Sequence, residues 1–271
     1  MALLLAVFVF SAVTVLTVQK QYRESAKLYS EATEQFVRPV SIPTPGSASA
    51  RVKDAFDAED NSKTVEMAEE ASREYAPFSV DFDGLKQRGP DVIGWLYCPD
   101  TVIDYPVVKA TNNDYYLTHS YDGSYSASAS IFVEEKNRWD FEDANTIIYG
   151  HHMRSGAMFA GLEAWADQAY YESHPIMWLV TPEQDYKVVL FSGYTTSAYS
   201  DVYTIYRGNG PQLYEYVASA LARSDFQSGF IPDENGKYVV MSTCAYVFDN
   251  ARYVLHGILV PVDSAAGISL D

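Results

Sequence analysis

The sequence predicts a mainly β domain, a barrel or sandwich with helices packed on its outside, carried behind an apolar N-terminal helix. Three observations carry that prediction. Short runs rich in Val, Ile and Tyr recur between residues 103 and 260, broken by Gly, Pro, Asn and Asp. Only two longer stretches of that region, 155–165 and 211–222, have apolar residues at helical spacing. Residues 2–18 (ALLLAVFVFSAVTVLTV) carry no charge at all.

The apolar segment comes first. Its 17 residues, at about 1.5 Å of rise each, reach roughly 26 Å as a helix, a little under the roughly 30 Å of a bilayer's hydrocarbon core. No small-residue cleavage site follows it; Gln19, Lys20, Gln21, Tyr22 and Arg23 do. Residues 1–19 are therefore expected to be an uncleaved transmembrane signal-anchor. Lys20 and Arg23 lie after the span rather than before it, so the positive-inside rule does not set the orientation.

Residues 20–75 read as an extracellular stalk or linker, partly helical. Residues 39–49 (PVSIPTPGSAS) have linker composition, and the flanking 22–36 and 53–75 are polar and rich in Ala and Glu, with no continuous apolar stripe. The globular domain is expected over 76–271. Residues 81–88 suit a short helix with Asp81 as N-cap and Gly89-Pro90 as its stop. Strands follow at 103–108, 130–134, 146–150, 176–181, 186–194, 237–243 and 251–260. The two helices fall at 155–165, with Met158, Phe159 and Leu162 on one face, and at 211–222, with Leu213, Tyr216, Val217 and Leu221 on one face and Pro211 in the first turn.

Composition limits the function classes. The chain has 271 residues, room for one ordinary domain plus an extension, or for two small domains. Its formal charge of -17, with lysines and arginines scattered, disfavours the phosphate backbone, so no nucleic acid is expected as a partner. The two cysteines, Cys98 and Cys244, lie far apart in a chain large enough to fold without stapling, and are read as independent thiols.

Chemistry concentrates at two strand ends. Tyr149-Gly150-His151-His152-Met153 ends one strand, Ser242-Thr243-Cys244 ends another, and Arg252 opens the next. A cysteine forms a nucleophilic thiolate far more readily than a serine forms an alkoxide. A histidine can move its proton, and an arginine offers a permanently charged fork of donors for an oxyanion. Together they make an acyl-transfer site that needs no metal or cofactor. The adjacent His151-His152 pair has no third ligand spaced for zinc. Taken singly, each residue also fits a blander role as core thiol, satisfied imidazole or surface charge.

In combination these residues resemble the class B sortases, cysteine transpeptidases of Gram-positive cell surfaces. The resemblance runs from about Phe82 to Leu259. It comprises Ile93-Gly94-Trp95-Leu96, Ile103-Asp104-Tyr105-Pro106-Val107-Val108, Asn113-Asp114-Tyr115-Tyr116-Leu117, Ser130-Ile131-Phe132, the NTIIYGHHM stretch of 145–153, Ser242-Thr243-Cys244, and Asp249 to Arg252. Ala129 stands where that family commonly has Gly, and Cys98 is not a family feature.

The resemblance implies an eight-stranded sortase-type β-barrel with N-terminal helices and a helix before the last strands. It implies His151, Cys244 and Arg252 as catalytic residues. The substrate would be a secreted protein with a C-terminal sorting signal of the x-Pro-x-Thr-Gly/Asn type, cut after Thr through a thioester on Cys244. The acceptor would be an amine of a peptidoglycan precursor or a pilin lysine. Ser242, Thr243 and Tyr194, the last at the head of the loop 194–210, are expected to touch the sorting signal. The resemblance also implies a single-pass membrane protein whose catalytic domain is extracellular. Two other readings use the same residues. One is an extracellular cysteine peptidase acting on wall peptides, and the other is a non-catalytic surface domain with a buried thiol.

Overall fold

The computed structural model describes residues 2–40, 74–245, 247 and 249–264, leaving aside the side chains of 2–6 and 9. The proline-rich linker at 39–49 beyond Val40, and the polar stretch of 53–75 up to residue 73, lie outside the described residues. A long helix α1 (Ala2–Phe36) opens the chain. It leads into a short strand β1 (Val37–Pro39), which pairs antiparallel with β2 (Phe78–Val80). Helix α2 (Phe82–Arg88) follows as expected, with the Asp81 carboxylate accepting from the Gly84 amide at 2.9 Å and Gly89 closing its last turn.

Among the described residues, eight strands close into a barrel: β3 (Val92–Tyr97), β4 (Asp104–Lys109), β5 (Ile131–Val133), β6 (Asn145–Tyr149), β7 (Ile176–Val180), β8 (Asp185–Ser197), β9 (Lys237–Cys244) and β10 (Ala251–Val262). Their order around the barrel is β10-β8-β7-β3-β4-β5-β6-β9. Closure leaves the barrel itself, among the described residues, with no open edge to recruit another chain. Most neighbours are antiparallel, but β4 with β5 and β6 with β9 run parallel. The parallel pairs matter for function, because two strands that point the same way deliver their C-terminal ends to the same rim.

Strand β3 has no clean alternation in the sequence because it is buried on both faces and interrupted by Gly94. The register slips at that point, and a Cβ on Gly94 would come within 3.2 Å of the Val180 carbonyl. The barrel interior is filled by side chains such as Trp95, Val107, Ile131, Met241 and Leu255. A second cluster lies outside the barrel, under helix α4 (Pro211–Arg223), where Leu213, Tyr216, Val217 and Ala220 pack on Phe191, Val240 and Val254. Burying a Leu or Val side chain there is worth about 1.5–3 kcal/mol each. The amphipathic spacing read from 211–222 is thus the contact face of α4.

Two expectations need correction. The stretch 155–165 is not an α-helix. Gly156 and Met158 both take positive φ (83° and 59°), which no α-helix tolerates, and only Ala160–Ala166 coils, as a 3-10 turn. The apolar side chains counted there are buried, but through a loop folded back on itself. Helix α3 (Gln168–Ser173), capped by Asp167 on the Tyr170 amide, follows it.

The second correction concerns 22–36, which has a buried stripe after all. Ser25, Tyr29, Ala32 and Phe36 recur every three or four residues and are all buried on the barrel. The sequence hides the stripe because two of its four members are Ser and Ala. The Tyr29 hydroxyl donates to the Ala129 carbonyl at 2.6 Å, and Thr33 donates to the Asp104 carboxylate at 3.3 Å. At the start of α1, Phe8, Phe10 and Leu16 are exposed. Among the described residues no helix is long and apolar enough to cross a membrane; the apolar segment 1–19 includes side chains outside that set.

Candidate active site

Register builds the site. In the parallel pair β6/β9, Tyr149 lies beside Ser242. Two residues further on, each chain leaves the barrel at the same rim, which brings His151 next to Cys244. In the antiparallel pair β9/β10, Cys244 lies beside Arg252. Three adjacent strands, spaced about 4.8 Å apart, therefore present imidazole, thiol and guanidinium in a row. All three residues are half-buried and line one cavity of about 220 Å³, together with Asn113, Leu117, Phe132, Tyr149, Gly150, Ser242 and Thr243.

Gly150 makes the turn into His151 possible. A Cβ there would sit 2.6 Å from both Ile131 and Phe159, so only glycine lets these side chains close over the strand end. Phe159 in turn donates its amide to the His151 carbonyl at 3.0 Å, pinning the returning loop. The ring of His151 is held by a hydrogen bond from Nε2 to the Leu117 carbonyl at 2.9 Å. Its neighbour His152 points elsewhere. Its Nδ1 donates to the Cys244 carbonyl at 2.7 Å, with the Glu163 carboxylate 3.8 Å from the same nitrogen. His152 thus ties the histidine loop to the cysteine strand.

Cys244 is a free thiol, as is Cys98. The two differ sharply in setting. Cys98 is fully buried, and burial pushes its thiol up to about 12, with the Thr101 hydroxyl opposing. Arg252 donates from Nη1 to the Ala251 carbonyl at 2.9 Å, which leaves most of its fork for other partners. Its charge is felt by two phenols near the cavity. Burial pushes Tyr149 far up, reinforced by Glu134 and opposed by Arg252; burial also raises Tyr203, opposed by a hydrogen bond with Ser242 and by Arg252.

Of the residues expected to touch substrate, Ser242 and Thr243 line the cavity. Ser242 shares a 2.9 Å hydrogen bond with Tyr203, whose ring stacks on Tyr149. The Thr243 hydroxyl is buried and has no hydrogen-bond partner among the described residues. Tyr194 is placed differently. It is buried under α4, stacked on His256 at 5.4 Å, with the Arg223 guanidinium 5.0 Å over its ring, and it is not part of the cavity wall. Its position in β8, opposite Val254, turns it toward the outer cluster. The phenol that reaches Ser242 is Tyr203, nine residues later in the loop. Sequence reading placed this loop near the groove but had no signal to choose among its tyrosines. Asn113, Leu117, Phe132 and Tyr149 also line the wall; they fall within the motifs noted above, without a chemical role being legible there.

No family model matches the chain. Among curated proteins it is 33% identical over 181 residues to sortase B of Listeria monocytogenes, covering 65% of this chain and 72% of that protein. It is 26% identical over 183 residues to sortase B of Staphylococcus aureus, covering 67% and 75%. Among solved structures, sortase B from B. anthracis in complex with AAEK1 superposes with a TM-score of 0.68 at 25% identity, over 90% of this chain and all of that one. Sortase B of Clostridium perfringens gives 0.61 at 29% identity, over 66% of this chain and 98% of that one.

Proposed function

Because the chain belongs to the sortase B family, and so is a cysteine transpeptidase, we propose that His151, Cys244 and Arg252 carry its reaction. The observation that carries this reading is the register of three neighbouring strands, Tyr149 beside Ser242 and Cys244 beside Arg252.

The substrate in this reading is a secreted protein ending in a sorting signal of the x-Pro-x-Thr-Gly/Asn type. Cys244 Sγ attacks the Thr carbonyl, and the negative charge that gathers on its oxygen is met by the Arg252 fork. As the C–N bond breaks, His151 gives a proton to the departing amine and a thioester remains on Cys244. An amine of a peptidoglycan precursor, or a pilin lysine, then attacks the thioester. It loses a proton to His151 and leaves as a new amide, and the thiolate is restored. Ser242 and Thr243, on the wall beside the thiol, contact the signal backbone.

The same reading places the enzyme at the cell surface as a single-pass membrane protein, with residues 1–19 as anchor and the catalytic body outside. What supports the anchor is the uncharged run at 2–18 and the helical backbone from Ala2 onward, with Phe8, Phe10 and Leu16 exposed. Secreted substrates and lipid-linked acceptors would then meet the cavity at the surface where both emerge.

The test is product analysis. The protein, a sorting-signal peptide and an amine together should give a new amide, with a thioester on Cys244 trapped at short times. Cleavage to a free acid that ignores added amine would point to a peptidase instead. Thioester formation by Cys244→Ala would remove the assignment.

A further inference from the structure

Glu134 takes no part in the chemistry above, yet it is a buried carboxylate directly behind the cavity wall. Its Oε2 accepts two hydrogen bonds, from Asn113 Nδ2 at 2.7 Å and from the Tyr149 hydroxyl at 3.0 Å, while Oε1 accepts the Lys136 amide at 3.2 Å. A buried carboxylate is costly unless donors and a cation compensate it. Lys109, also buried, supplies a positive charge nearby, its ammonium donating to the backbone carbonyls of Glu134 and Glu135 at 2.8 and 3.0 Å. Burying a carboxylate is hard to attribute to stability alone, since an apolar side chain would fill the space more cheaply.

Both donors to Oε2 line the cavity. Asn113 is gripped from three sides: its side-chain oxygen also accepts the Glu135 amide at 2.8 Å, and its own amide donates to the Glu135 carboxylate at 3.2 Å. From Asn113 the chain runs straight into the 3-10 turn Tyr115–Leu117, whose start is held by Asn112 accepting the Asp114 and Tyr115 amides. That turn ends on the Leu117 carbonyl, the acceptor for His151 Nε2. A carbonyl can only accept, so Nε2 carries the hydrogen in the neutral ring and Nδ1 is left as the basic atom. The second donor, Tyr149, ends the strand that delivers His151 two residues later.

We propose that Glu134 is a positioning residue for His151. Through Asn113 it fixes the turn that holds Nε2, through Tyr149 it fixes the strand end that carries the ring, and the two together set which nitrogen is basic. This deepens the transpeptidase reading, which gives His151 its role, but it is tested separately.

The experiment is nitrogen NMR of the folded full chain with labelled histidine, at about pH 8.5, where an ordinary histidine is neutral. His151 is assigned by its loss in His151→Gln. The wild-type ring should be the Nε2–H form. Glu134→Ala should mix the two tautomers and, with sorting-signal peptide, lower kcat about 10-fold or more with little change in KM. Glu134→Gln, which keeps an oxygen for Asn113 and Tyr149, should restore the Nε2–H form and most of kcat. A folded Glu134→Ala protein with the wild-type tautomer overturns the proposal. If Glu134→Ala does not fold, Asn113→Ala breaks the same bridge and is read in the same way. Absence of peptide turnover in the wild type would remove the transpeptidase reading and leave the tautomer result to stand or fall alone.

Discussion

The imidazole of His152 donates from Nδ1 to the backbone carbonyl of Cys244 at 2.7 Å, so the histidine loop and the cysteine strand are bonded through the histidine to which the proposed reaction assigns no proton transfer. Replacing His152 by Ala should therefore loosen the site without emptying it. Losing one such hydrogen bond costs about 1 kcal/mol, and kcat should fall roughly 5-fold by the corresponding exponential. His151→Ala, by contrast, should lower kcat by about 10²-fold or more. Steady-state kinetics on the two single variants decides which histidine does the chemistry; equal losses would put the assignment in doubt.

The two thiols should differ in reactivity. Cys98 is fully buried with its thiol pushed up to about 12, whereas Cys244 lines an open cavity. Because the thiolate is the reactive form, iodoacetamide near neutral pH should label Cys244 and spare Cys98. Mass spectrometry of the two cysteine peptides over time reads this directly. Rapid labelling of Cys98 in folded protein would contradict its placement.

The second half of α1 is expected to act as part of the packed body. Tyr29→Phe removes the hydroxyl that donates to the Ala129 carbonyl and should cost about 1–2 kcal/mol. Tyr29→Ala also removes a ring held edge-on to Tyr105 at 5.3 Å, and should cost about 3–5 kcal/mol. Denaturant unfolding measures both. If residues 22–36 were a free stalk, neither change would register.

Buried His256 should make the fold sensitive to acid. Its Nε2 accepts from the Tyr216 hydroxyl at 2.8 Å, and burial pulls its pKa down to about 3. Above the unfolded value of about 6.5 neither state binds the proton; below it the unfolded chain does and the fold does not. Stability is therefore complete above about pH 6.5 and is lost as pH falls towards 3, with a limiting slope of about 1.4 kcal/mol per pH unit from this one residue. Comparing the pH slope of unfolding in the wild type and in His256→Gln isolates that share. An unchanged slope would mean that His256 is accessible to protons in the fold.

Much of the fold could be read from the sequence where local signals and tertiary context agree. Pro211 begins a helix with apolar spacing, and that helix forms with the expected face buried. Strand ends carrying His151 and Cys244 were legible because β-rich runs stop just short of them. What was hidden depends on packing that no local pattern encodes. Ser25 and Ala32 are too small or too polar to announce a buried face, and they become one only because the barrel wall lies opposite. Met158 and Leu162 sit at helical spacing, yet positive φ at Gly156 and Met158 routes the chain into a loop that closes over His151. Tyr194 and Tyr203 are equivalent in composition. The register of β8 turns the first toward α4, and the 3-10 turn Asp201–Tyr203 beyond that strand brings the second to Ser242.

The strand order has a developmental consequence for the molecule. The imidazole is contributed by a strand from the middle of the chain, while thiol and guanidinium come from the final two, and the last of these also seals the barrel against β8. During synthesis from the N-terminus, a chain that has emerged only through β8 carries Cys98 but neither Cys244 nor Arg252, and it has an unsealed wall. The cavity's own thiol therefore enters eight residues before Arg252 and long after the strand that leads to His151, so the three residues can meet only once β9 and β10 are in place.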